Sequence, residues 1–132
     1  MQIVILYVST AIVFLGLDAV MLKSVMRPLF DKHIGDMLRE DLNLGAAAMF
    51  YLFYVGALIY LISLPALRAG SPMQALWGGA LVGAMAYGTY EFTNLATLKN
   101  WHWQMVAVDL AWGTVLTGVS ALAGVLITKA LS

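Results

Sequence analysis

The chain has 132 residues, of which 62% are hydrophobic and 11% charged, against about 45–50% and about 25% in soluble domains. A soluble fold of this size would leave much of that apolar surplus facing water, so the composition assigns the chain to a lipid bilayer. Seven basic residues balance seven acidic ones, which leaves no basic field for nucleic acid, and the lack of cysteine excludes disulfides, thiolate nucleophiles and thiolate metal sites.

A membrane span needs roughly 20 apolar residues, and four stretches meet that length. The first covers residues 3–22 and is expected to stop at Lys23 and the Arg27-Pro28 pair. Met1-Gln2-Ile3 carries no positive charge ahead of it, and no small-x-small cleavage pattern follows, so a retained span is expected rather than a signal peptide. The connection over residues 23–43 holds four basic and four acidic residues, with Phe30, Ile34, Met37 and Leu38 spaced for one helical face. That pattern predicts an amphipathic helix lying at the interface, with a solvated loop as the plainer alternative.

The second span covers residues 44–67 and closes on Pro65 and Arg68. Ser71-Pro72-Met73-Gln74 then announces the third, residues 73–98, with Ser at the N-cap, Pro at the first helical position and Gln placed for a capping box. The fourth covers residues 104–128. Short connections after the second and third spans predict antiparallel hairpins. The expected fold is all-α: one domain over residues 1–132, a compact bundle of four transmembrane helices. Unbroken apolar runs of this length cross lipid as helices, because a helix satisfies its own backbone.

Lys23, Arg27, Lys32, Arg39 and Lys99 flank one side of the bundle, and Arg68 and Lys129 the other. The excess of basic residues predicts that the first side is cytoplasmic and both termini are not, in a multi-pass protein of the cell inner membrane. Gly78, Gly79, Gly83, Ala84 and Gly88 crowd the third span; Gly113, Gly118, Ala121 and Gly124 crowd the fourth. Gly79 and Gly83 form a small-x-x-x-small pair that lets helices approach closely. Packing within the bundle is its plainest use, and a homodimer contact the alternative. Membrane lipids are the other expected partner.

Ionisable residues inside spans are costly and mark function by default. Three occur, Asp18, Glu91 and Asp109, and no Lys or Arg lies within a span to pair with them. Glu91 precedes Asn100 by nine residues and Asp109 follows it by nine, while Asp18 stands five before Lys23, so all three fall toward the same side. At 100° per residue, Ala80, Ala84, Tyr87, Glu91, Asn94 and Leu98 share one stripe of the third span. Asp109 aligns with Trp112, Gly113, Leu116 and Ser120; Asp18 with Tyr7, Ala11 and Phe14; and Tyr51 with Tyr54.

Facing one another, these stripes would form a ligand pocket of Asp18, Tyr51, Tyr54, Tyr87, Glu91, Asn94, Asp109 and Trp112. Trp101, His102 and Trp103 are expected at its mouth, at headgroup level. Three carboxyls without basic partners cannot all stay ionised in a low-dielectric site, so it should hold protons, a metal ion or a cationic ligand. Aromatic faces suit an organic cation. Plainer accounts exist: a helix-start carboxylate for Asp109, interfacial water for Asp18, and an interhelical clasp for Glu91 with Asn94. His33 reads as an interfacial polar residue and His102 as a weak candidate ligand. No complete metal motif or cofactor fingerprint appears, so neither metal nor cofactor is expected.

Several runs resemble one bacterial family. They are residues 50–56 (FYLFYVG), 65–67 (PAL), 86–101 (AYGTYEFTNLATLKNW) and 108–114 (VDLAWGT). The resemblance is to the membrane proteins filed as domain-of-unknown-function family 2177, and it covers nearly the whole chain. That pattern usually carries Asp where this chain has Glu91, and often Trp where it has Met21. The resemblance implies a four-span bacterial membrane protein and brings no established activity.

Three functions fit the residues. One is binding or transport of a small amphipathic or cationic ligand with proton coupling. The second is a lipid- or isoprenoid-modifying enzyme, with Glu91 as acid and Asp109 as base. The third is an accessory subunit of a larger membrane complex. Whether the chain catalyses any reaction stays open.

Overall fold

A computed structural model describes residues 1–34 and 44–131. Its elements are α1 (Gln2–Met21), a π turn (Leu22–Met26), α2 (Arg27–Ile34), α3 (Leu44–Leu58), a second π turn (Ile59–Ser63), α4 (Leu64–Ala69), α5 (Pro72–Thr97) and α6 (Trp103–Leu131). No strand occurs among the described residues. The protein is an all-α membrane protein.

The first helix does not stop at Lys23. It runs through a π turn into α2, and the second makes the same passage into α4. Each π turn ends two residues before a proline, Pro28 or Pro65. Proline has no N–H to bond the carbonyl four residues back, and its ring crowds that carbonyl. The wider turn absorbs both problems without ending the helix. The amphipathic helix expected after Lys23 is therefore, through Ile34, a continuation of the first helix. Met37 and Leu38, the rest of its apolar face, lie outside the described residues.

Among the described residues, three stretches are long and apolar enough to cross a membrane: Gln2–Leu29, Gly45–Ala69 and Trp103–Leu131. The expected third span corresponds to α5, whose 26 residues rise about 39 Å at 1.5 Å per residue. Length is not what sets it apart. Gln74, Glu91, Asn94 and its glycines dilute its apolar character, and α5 is placed in the bundle by its partner. It packs antiparallel along α6, with the Gly79 Cα facing Gly118 and Ala121 and Gly88 facing Leu110.

That contact uses the small residues. A Cβ on Gly79 would lie 2.9 Å from the Thr117 carbonyl oxygen, and one on Gly83 would run into the Gly113 carbonyl. These positions admit no side chain because backbone meets backbone. The small-residue faces of the two helices are thus turned toward each other within one chain.

The turns differ from expectation in detail. Gly70 ends α4 in the left-handed conformation (φ 67°), with its N–H on Leu67 O and the Ser71 N–H on Ala66 O. Ser71 and Pro72 open α5 as predicted, but the Ser71 side chain makes no capping bond. Its carbonyl takes the Gln74 N–H instead, at 3.1 Å.

The bundle is apolar outside and carries polar groups within. Val4, Ile12, Val20, Phe53, Tyr60, Trp77, Leu81, Met85, Val115 and Leu126 are exposed, whereas Thr10, Ser63, Glu91, Thr117, Ser120 and Thr128 are fully buried. Soluble domains show the reverse preference. Only a hydrocarbon surrounding makes this distribution favourable, because lipid does not penalise exposed leucine but does penalise an exposed carboxyl or hydroxyl.

Candidate functional site

The three acids come from three helices. Asp18 stands one turn before the first π turn, Glu91 near the end of α5, and Asp109 in the second turn of α6. Because α5 and α6 are antiparallel neighbours joined by a five-residue turn, Glu91 and Asp109 meet across their interface. Asp109 is the acidic neighbour of Glu91, and Asp18 acts in turn on Asp109. Glu91 is fully buried and Asp109 is buried, while Asp18 is half-buried.

Indole groups serve two of these acids. The Trp101 Nε1–H donates to Glu91 Oε1 at 2.9 Å, and the Trp112 Nε1–H donates to Asp18 Oδ1 at 3.3 Å. An indole N–H only donates, so it can hold a carboxyl in place without supplying the positive charge that an ion pair would. The second Glu91 oxygen, Oε2, is buried and receives no N–H or O–H from another side chain or the backbone, so the hydrogen bond between Glu91 and Asp109 needs a proton shared by the two carboxyls.

Tyrosines wall the site. Tyr51 lies beside Asp18 with Asp109 also in electrostatic reach, and Tyr87 is within reach of both acids. Phe14 packs on Tyr51 and Tyr54 at ring distances of 5.7 and 5.6 Å, and Tyr54 meets Tyr87 edge-on at 6.5 Å. The Tyr54 hydroxyl bonds Thr117 Oγ1 at 3.0 Å. Gly113 is what lets Tyr87 lie flat on α6, since a Cβ there would enter the Tyr87 ring.

The structure brings Asp18, Tyr51, Tyr54, Tyr87, Glu91, Asp109 and Trp112 together at one end of the bundle, and Asn94 joins them beside Tyr90. Trp101 does not stand at a mouth. It is buried against Glu91 and packs on Tyr90 at 5.9 Å. His102 and Trp103 are exposed. The His102 Nδ1 accepts the Gln104 N–H at 3.0 Å, which caps the start of α6, and Trp103 packs on Phe92. The side chain of His33 lies outside the described residues. No group of three or more His, Cys, Asp or Glu placed to hold a metal ion occurs among the described residues.

Sequence reasoning missed Trp101 as a partner of Glu91, along with Tyr90 and Thr117. A signal for the first was present: a short hairpin folds residue 101 back over the last turns of α5. Thr117 gave none, because its value depends on the length of a tyrosine reaching across from α3.

Comparison with known families adds one finding. A family model described as "Predicted membrane protein (DUF2177)" matches residues 3–126. The chain belongs to this family. The match reaches into every helix described above, stopping five residues short of the end of α6, and includes all three acids of the site. Comparison with curated proteins finds no match, and neither does comparison with solved structures.

Proposed function

We propose that this DUF2177 protein binds a small hydrophobic cation at the Glu91–Asp109–Asp18 cluster in exchange for protons. One observation carries the reading: Glu91 is wholly buried against the Asp109 carboxyl, with one oxygen on an indole N–H and no N–H or O–H donor for the other, so the pair can bond only through a proton. Burying a bare carboxylate is costly, so such a group needs a proton or a cation. A proton satisfies it when the site is empty, and a cation replaces the proton. The faces of Tyr51, Tyr54, Tyr87, Tyr90, Trp101 and Trp112 then favour a cation with an apolar body. Half-buried Asp18 forms the approach.

The groups that titrate or carry charge around the site are Asp18 on α1, Tyr51 and Tyr54 on α3, Tyr87, Tyr90 and Glu91 on α5, and Asp109 on α6. Lys23 and Arg27 follow Asp18 along the first helix. The surplus of basic residues at this end supports a cytoplasmic placement of the site, in an inner membrane, with both termini on the other side.

The test uses tetraphenylphosphonium as probe and calorimetry on the purified protein in mild detergent. Affinity should rise between pH 5 and 9, by up to about tenfold per pH unit where one proton leaves for each cation bound. Glu91→Gln should flatten that dependence. Absence of binding at every pH, or equal binding by Glu91→Gln and Asp109→Asn at every pH, would overturn the proposal.

A further inference from the structure

Two groups of serine and threonine hydroxyls in this bundle differ in how they are satisfied. Ser9, Thr89, Thr97, Thr114 and Thr128 each donate to a carbonyl four residues back in their own helix, at 2.6 to 2.8 Å. This is the usual way a helix satisfies a hydroxyl in lipid. Thr10, Ser63 and Ser120 do not. All three are fully buried, and none has a hydrogen-bond partner in the protein.

Their places in the fold lie close together. A Cβ on Gly124 would strike Thr10 Oγ1, which puts Thr10 one turn beyond Ser120 on α6. Ser63 lies in the second π turn, next to Ile62. The Ile62 side chain touches Gly78, the neighbour of Gly79, which faces Gly118 and Ala121. Three different helical stretches thus each carry an unpartnered buried hydroxyl within about two turns of one another: Thr10 beside Gly124, Ser120 one turn before it on α6, and Ser63 near the level of residues 117–121.

That region continues the acid cluster. From Asp109 the polar groups climb α6 by way of Tyr87, whose ring lies on Gly113, and the Tyr54–Thr117 hydroxyl pair, while the Trp112 N–H, which only donates, stays on Asp18 beside this line. Next come the three hydroxyls, and then Thr128. Asp109 to Thr128 is 19 residues, or about 28 Å of helix, close to the roughly 30 Å of a hydrocarbon core. Above Thr117, successive polar positions on α6 are three or four residues apart, so the rise between them is about 4.5–6 Å. One water molecule bridges such a gap with two hydrogen bonds. A buried hydroxyl left unpaired costs about 1–3 kcal/mol, and buried water is the usual remedy.

We propose that Thr10, Ser63 and Ser120 line a file of water molecules that carries protons between the acid cluster and the opposite membrane face. The inference rests on the reading that the acids exchange protons. Each water or hydroxyl accepts one proton and passes on another, so no group is consumed. Glu91 and Asp109 receive or release the proton at one end, and Thr128 marks the other.

The absence of native cysteine makes a direct test available. Full-length Ser63→Cys, Ser120→Cys and Val55→Cys proteins are reconstituted in phosphatidylcholine vesicles and treated with N-ethylmaleimide, which reacts with thiolates and so requires water. Val55 is equally buried but belongs to the apolar core. Cysteines at 63 and 120 should label at least tenfold faster than at 55. In parallel, potassium-loaded vesicles with valinomycin and trapped pyranine should show wild-type proton uptake above protein-free vesicles, and Ser120→Ala should slow it several-fold. Equal labelling at all three positions overturns the path, and so does wild-type flux no greater than in empty vesicles. Tetraphenylphosphonium binding without labelling removes the path and leaves the binding site. Labelling and flux without such binding support the path and remove the cation reading.

Discussion

Gly83 offers the sharpest test of how the site is held. A Cβ added there runs into the Gly113 carbonyl and comes within 2.9 Å of the Thr117 side chain. The first obstacle is backbone on a helix that cannot rotate away, so α5 and α6 must separate. Gly16 is the matched control, being helical with nothing within 4 Å of its hypothetical Cβ. Both Gly→Ala changes gain similar helix propensity, about 0.5–1 kcal/mol. Their difference therefore isolates overpacking, which costs about 1–3 kcal/mol. Gly78→Ala should fall between them, because its obstacle is a side chain, the Cγ2 and Cδ1 of Ile62, which a χ1 rotation or a small shift relieves without parting two backbones. The assay is reversible unfolding in mixed micelles of rising dodecyl sulfate content, followed by near-UV circular dichroism. The expected order of stability is Gly16→Ala, then Gly78→Ala, then Gly83→Ala. If Gly83→Ala unfolds at the same micelle composition as Gly16→Ala, the close backbone contact between α5 and α6 is wrong, and the meeting of Glu91 with Asp109 goes with it.

Two further outcomes are expected. Trp101→Phe keeps an aromatic side chain, though a smaller one, and removes the donor to Glu91 Oε1, so a buried oxygen loses its partner and stability should fall by about 1–3 kcal/mol in the same assay from that loss alone. Repeating the change in a Glu91→Leu background should recover most of the loss; equal losses in both backgrounds would show that the ring's packing matters and the hydrogen bond does not. For orientation, Asn100→Cys should resist a membrane-impermeant maleimide in intact cells while Ser71→Cys reacts, and the reverse pattern would invert the topology.

The sequence by itself settled the environment and the membership of the bundle. Composition required lipid, and lipid required helices, because no other open structure satisfies its backbone there. Periodicity grouped many of the inward residues: Phe14, Ala11, Glu91, Asp109, Gly113, Leu116 and Ser120 are buried, since a helix turns by a fixed 100° whatever surrounds it. On the same stripes Tyr7, Asp18, Tyr87 and Asn94 are half-buried and Leu98 is exposed. Depth followed from rise per residue, which is why three acids far apart in the chain were legible as neighbours.

Tertiary structure decided everything that depends on contacts between helices. Pro28 and Pro65 read as stops, yet each is absorbed by a π turn that accommodates the missing N–H and the ring without ending the helix. Trp101 read as an interfacial aromatic, but the fold of the hairpin aims its N–H at Glu91. Thr10, Ser63 and Ser120 lack the bond to their own helix carbonyl that Ser9 and Thr128 make, although Thr128 is just as buried, so the difference lies in contacts that spacing does not encode. A side chain's direction around its helix is local and therefore encoded in spacing; its partner lies on another helix, and only assembly determines that.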